Sequence, residues 1–165
     1  MKTLAFVSIA LGLLVWSSSH NFAQAETWRS VTSAQFGVRF AVPDAKKCKS
    51  RTRGDLAGMY CDYGDMKVAA IAAKGAVSFA DLRRATHKYS EIPAKYCKRI
   101  SAGAGNGYRR YEAWACTSGS QSLVGLIGQS GKRAMSHVVF IYGSHAAWKR
   151  NRRYVRAFVS SINAL

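Results

Sequence analysis

Residues 97–116 read CKRISAGAGNGYRRYEAWAC, and this stretch decides the fold. At its centre Gly105-Asn106-Gly107 separates two strand-like runs. Asn-Gly as the middle pair of a two-residue type I′ turn is the strongest short-range hairpin signal, because both positions need the left-handed backbone that Asn and Gly tolerate. With Asn106-Gly107 as the loop, Gly105 faces Tyr108, and counting outward in step brings Cys97 opposite Cys116. Directly opposed antiparallel residues sit about 4.5–5.5 Å apart at Cα, a separation that a disulfide accepts. The same counting outward from Gly54-Asp55, a Gly-x pair suited to a type II′ loop, brings Cys48 opposite Cys61. Four cysteines allow three pairings, of which this turn chemistry favours Cys48–Cys61 and Cys97–Cys116. A bulge would shift either register by one. Zinc is the rival use of four cysteines, but separations of 13, 36 and 19 residues lack the short C-x2-C spacing of zinc sites. Neither a metal nor another cofactor is expected.

Outward from the hairpins the pattern holds. Residues 35–42 (QFGVRFAV) place Phe36, Val38, Phe40 and Val42 on one face at a period of two, then stop at Pro43-Asp44, which reads as a half-buried strand and a turn. Residues 58–63 and 66–73, separated by Gly64-Asp65, read as another hairpin. Ser78, three residues before Asp81, is a variant capping box and predicts a helix with Phe79, Leu82, Ala85 or Thr86, and Tyr89 on its apolar side. Arg83, Arg84, His87 and Lys88 take the polar side, and Pro93 stops it. Residues 95–102, 108–117, 122–129 and 133–142 are strand-like and close enough for consecutive antiparallel pairing. Trp148, Val155, Val159 and Ile162 then give one amphipathic helix whose apolar stripe docks on the sheet. The expected fold is α+β: one domain over residues 26–165, a mainly antiparallel sheet of six to seven strands, two flanking helices and two disulfides.

This element order resembles the PsbP-like group of exported α+β proteins, in which an early strand ending in proline, here FGVRFAVP at residues 36–43, opens a sheet flanked by helices. The resemblance runs from Phe36 to the end of the chain. It implies a fold and no activity, and four cysteines with a large positive charge are not features it leads one to expect.

The amino-terminal residues read as an address. Lys2 precedes a 13-residue apolar run, residues 4–16, and Ala23-Gln24-Ala25 fits small-x-small cleavage, so residues 1–25 are expected to be a cleaved secretory signal. At 1.5 Å per residue the run spans about 20 Å as a helix, short of the roughly 30 Å hydrocarbon core. No later run is long enough to span a membrane. The expected location is the periplasm or the cell exterior, where paired cysteines persist.

Charge narrows the partners. The chain of 165 residues carries 25 Lys and Arg against 8 Asp and Glu, a formal net charge of +17. Such an excess sets up a long-range positive field that attracts polyanions. Lys46, Lys47, Lys49, Arg51 and Arg53 form a basic run at the first disulfide loop, and Lys149, Arg150, Arg152, Arg153 and Arg156 a second run on the last helix. These are the candidate anion-binding residues. The expected partner is an anionic envelope surface or an acidic protein, with extracellular nucleic acid a further polyanion of this kind. Tyr108, Tyr111 and Trp114 with Arg109 and Arg110 could stack on bases or sugars, although aromatic strand residues more often pack in the core.

Catalytic patterns are incomplete. Residues 128–132 (GQSGK) lack the last Gly of G-x-S-x-G and the first Gly of a phosphate loop, and read as a turn. Residues 62–65 (DYGD) lack calcium-loop spacing. His137 and His145 are candidate general bases without an evident partner. The leading expectation is therefore a non-catalytic exported binder, in envelope maintenance or host contact. An inhibitor or accessory subunit acting through the Gly54-Asp55 hairpin is second, and an exported hydrolase third.

Overall fold

The computed structural model describes residues 28–165. The expected signal peptide lies outside the described residues.

Both disulfides pair as the turns dictate, Cys48 with Cys61 and Cys97 with Cys116. Strands β3 (Cys48–Arg53) and β4 (Leu56–Asp62) keep one register from Cys48↔Cys61 to Arg53↔Leu56 around Gly54, whose φ is +58°. In the second hairpin, β6 (Cys97–Gly105) and β7 (Tyr108–Ser118) turn at Asn106 and Gly107, with φ of +51° and +78°. Its register slips once between Arg99 and Ser101 and again between Gly103 and Gly105. The two irregularities cancel, so both ends keep the pairing set by the turn.

Strands β5 (Met66–Lys74), β8 (Gln121–Ser130) and β9 (Met135–Ser144) complete an antiparallel sheet of seven strands ordered β3-β4-β5-β9-β8-β7-β6. The central three are apolar in continuous runs because both of their faces are covered. Gly125 of β8 marks a close approach: a Cβ there would collide with Phe140 on β9. The turn expected at Gly64-Asp65 is present; the one expected at residues 128–132 falls instead at residues 131–134, because β8 pairs through Gln129 and ends at Ser130, whose Oγ accepts from the backbone N–H groups of Lys132 and Arg133.

A second sheet was not anticipated. β1 (Arg29–Ser33) and β10 (Asn163–Ala164) flank β2 (Val38–Val42) in the order β1-β2-β10. Phe36, Val38, Phe40 and Val42 are buried as their alternation requires, yet β2 begins only at Val38, because residues 34–37 form a turn in which Gly37 has φ +60°. Two-residue β10 has no sequence signature at all.

The helices depart from expectation in four ways. α1 (Phe79–Ser90) starts as predicted, with Ser78 Oγ accepting from Asp81 N at 3.1 Å, but it ends at left-handed Glu91, two residues before Pro93. Its buried face is Phe79, Leu82, Thr86 and Ser90, and Tyr89 is 58% exposed. The expected single carboxy-terminal helix is broken at Asn151 into α2 (His145–Arg150) and α3 (Arg152–Ser161). Val155, Phe158 and Ile162 are buried, whereas Trp148 and Val159 are half-buried.

Two cores result. α2, α3 and the small sheet cover one face of the large sheet around Phe40, Val68, Leu126, Ile141 and Phe158. α1 covers part of the other face around Phe79, Leu82, Leu123, Ile127 and Phe140.

Candidate functional site

α1 lies over β8 and β9, its Arg83 reaches β7 and Ala69 of β5 joins its core, so the same face of β3 and β4 has no helix above it. Register fixes what that bare face presents. Lys49 lies beside Tyr60 and Ala69, Arg51 beside Gly58 and Ile71, and Arg53 beside Leu56 and Ala73. Alternate residues of a strand share a face, so Lys49, Arg51 and Arg53 form a row spanning about 13 Å at roughly 3.3 Å per residue, while Cys48 turns to the opposite face and joins the core through Cys61.

Between this row and α1 runs a groove of about 300 Å³ lined by Lys49, Arg51, Tyr60, Ala69, Ile71 and Tyr89. Its floor is apolar and its outer rim is cationic. All three basic residues are exposed, and among the described residues none of them is ion-paired with an Asp or Glu. β3 is an edge strand, where charge also discourages pairing with another chain. Beyond the groove the Tyr60 and Tyr142 hydroxyls are hydrogen-bonded to each other. Burial, reinforced by this bond, pushes the Tyr142 phenol up to about 12, and burial raises Tyr60 as well.

The remaining candidates are distributed differently. Lys46 and Lys47 sit in a 3-10 turn before Cys48, off the β3 row, and Asp44 caps that turn by accepting from Lys46 N. Lys47 Nζ lies 5.9 Å from the Tyr63 ring centroid. Lys47 and Arg150 line a common hollow with Asp65, and Arg150 is ion-paired with Asp65. The fold thus brings the two basic runs together at one point, and places an acid there. Lys149 on α2 and Arg152, Arg153 and Arg156 on α3 are exposed on the opposite side of the large sheet from the β3 row.

Strand alternation splits the aromatic group. Tyr108 is buried against His137, with ring centroids 5.6 Å apart, and Tyr111 faces the same core, whereas Trp114 and Arg110 face α1. They form no common stacking platform.

His137 is fully buried and its Nε2 lies 2.7 Å from Phe36 O. Burial is the main cause that holds its imidazole below the ordinary value, with Arg133 adding to it and the Phe36 contact opposing it. His145 is exposed at the start of α2. Among the described residues neither histidine is ion-paired with an acid.

One cluster escaped the sequence reading. Glu112 of β7 is 5% exposed and carries three arginines: Arg83 Nη1 at 2.8 Å, Arg110 Nη2 at 3.7 Å and Arg99 Nη1 at 3.8 Å. Arg83 also lies over Trp114 and Arg110 over Phe79, at 5.3 and 4.5 Å. One buried carboxylate therefore pins α1 to β6 and β7. No local signal could have found this, because the four residues meet only through helix docking and strand register.

No family model matches the chain, and neither does any curated protein. Among solved structures it is similar to the solution structure of cyanobacterial PsbP (CyanoP) from Synechocystis sp. PCC 6803, with a TM-score of 0.50 over 85% of this chain and 94% of that one, at 10% sequence identity. The chain has a PsbP-like fold. At that identity the likeness extends to the fold alone. It bears out the PsbP-like resemblance at the level of the fold.

Proposed function

We propose that this is an exported, non-catalytic protein that binds an anionic envelope component or an acidic partner. The observation that carries the reading is the row Lys49, Arg51 and Arg53: exposed, on one face of an edge strand, and without an acidic ion-pair partner among the described residues. A net charge of +17 supplies the long-range attraction that brings a polyanion to that row. Two disulfides suit a periplasmic or extracellular location, with residues 1–25 as the address that takes it there. Anionic lipid, cell-wall carboxylate and extracellular nucleic acid share the chemistry that this row recognises.

A second reading has its own support. The Gly54-Asp55 hairpin tip carries Leu56 at 55% exposure, an apolar contact suited to an inhibitor or accessory subunit. Salt separates the two, since charge attachment weakens steeply with ionic strength and an apolar hairpin contact does not. The test is attachment of the protein to polyphosphate across a salt series, with wild type compared to the Lys49→Gln, Arg51→Gln, Arg53→Gln triple variant. Loss of affinity and a shallower slope of log affinity against log salt are expected. An unchanged slope in the triple variant refutes the assignment to β3.

A further inference from the structure

The β3 row borders an apolar floor, and inorganic charge alone makes no use of that floor. Tyr60, Ala69 and Ile71 face into the groove, Tyr89 walls it from α1, and Lys49 and Arg51 stand along one rim. A volume of about 300 Å³ is at the lower end of small-molecule sites, which are mostly apolar with a few charged groups fixing orientation. A protein partner would need a far larger surface, about 800 Å² on each side. A second copy of this chain would bring +17 against +17.

Resting on the reading above, we propose that the groove takes a single-chain anionic amphiphile, its alkyl tail along Tyr60, Ala69 and Ile71 under Tyr89 and its phosphate or carboxylate head on Lys49 and Arg51. Charge complementarity fixes the polarity of the ligand. The head must lie at the β3 rim, because the opposite wall is the Tyr89 side chain.

Gly58 offers a clean way to block the tail. It lies on the same face between Arg51 and Ile71, and a Cβ there meets only Ala70 O, at 3.9 Å, so a larger side chain can be built without displacing backbone. Gly58→Phe also replaces a weak strand former with a strong one. Calorimetric titration of the exported protein with dodecyl phosphate below its micelle concentration should show saturable one-to-one binding. Dodecyl maltoside should bind at least tenfold more weakly, and inorganic phosphate at the same concentration should give no saturable signal. Gly58→Phe should lose at least tenfold in dodecyl phosphate affinity and keep wild-type affinity for polyphosphate, while the Lys49, Arg51, Arg53 triple variant should lose both. Tyr89→Ser, at an exposed position, serves as a second variant whose folding is not at issue and should weaken dodecyl phosphate alone. Wild-type dodecyl phosphate affinity in both Gly58→Phe and Tyr89→Ser, or equal affinity for dodecyl maltoside, overturns this inference and leaves the polyanion reading standing. Wild-type polyphosphate affinity in the triple variant overturns the polyanion reading instead.

Discussion

Gly107→Ala should be the most informative single substitution for the fold, because one methyl group there tests both the hairpin turn and the docking of the carboxy terminus. Gly107 has φ +78°, and a Cβ would collide with the carbonyl of Ala164. Holding Ala in the left-handed region costs about 1–2 kcal/mol. The collision also displaces β10, whose Ala164 N donates to Asn106 O and whose neighbour Leu165 N donates to Gly37 O, both at 2.8 Å. Each such bond has a net worth of about 1 kcal/mol. The total is about 3–4 kcal/mol, a large part of the roughly 5–15 kcal/mol that holds a domain of this size. With a urea slope of about 2 kcal/mol per molar, the denaturation midpoint should fall by about 1.5–2 M. Deletion of residues 163–165 completes a double-mutant cycle: in that background Gly107→Ala should cost only the left-handed component, about 1–2 kcal/mol. An equal cost in both backgrounds would show that β10 does not pack on the turn, and a cost under about 1 kcal/mol in the full chain would refute the turn geometry as well.

Changing Cys97 and Cys116 together to Ser opens a loop with a sequence separation of 19 and should cost about 3 kcal/mol on the chain-entropy account, so an unchanged melting temperature would contradict it. Val155→Asp puts an unpaired charge at a position 5% exposed in the α3 core and should abolish folding, whereas changing exposed Lys149, Arg153 and Arg156 to Gln should leave the circular dichroism and melting curve close to wild type. His137 is held below its ordinary pKa in the folded state, so the unfolded chain gains a proton near pH 6.5 that the folded chain resists; the stability present above that pH should be lost as pH falls below it. His137→Leu should flatten that part of the stability profile, and an unchanged slope would refute the assignment to His137. With the Tyr142 phenol pushed up to about 12, the unfolded chain ionises first as pH rises past about 10; stability should decline from there through the folded value, and tyrosinate absorbance should show one late-titrating phenol fewer in Tyr142→Phe, the late ionisation of buried Tyr108 remaining.

The two disulfide pairings, a mainly antiparallel sheet of six to seven strands and the start of α1 were legible in the sequence because each rests on local chemistry. Asn106-Gly107 and Gly54-Asp55 impose turn geometry within a few residues, and register then carries that geometry out to the cysteines, even past the two cancelling slips in β6 and β7. The basic residues were legible as candidates, and an i, i+2, i+4 reading of Lys49, Arg51 and Arg53 would have placed them on one face. What could not be read locally is what lies above that face. The groove exists because α1 docks over β8 and β9 and leaves β3 and β4 uncovered, a consequence of helix length and sheet order. The same docking exposes Tyr89, at the margin of the helix's buried arc, whereas periodicity alone assigned it to the core. The break at Asn151, the two-residue β10 and the meeting of Arg83, Arg99 and Arg110 on Glu112 likewise depend on packing between segments distant in sequence. Local sequence sets turns, faces and caps; which faces are then covered is a property of the packed whole, where burial of apolar area in one place decides what another place leaves open.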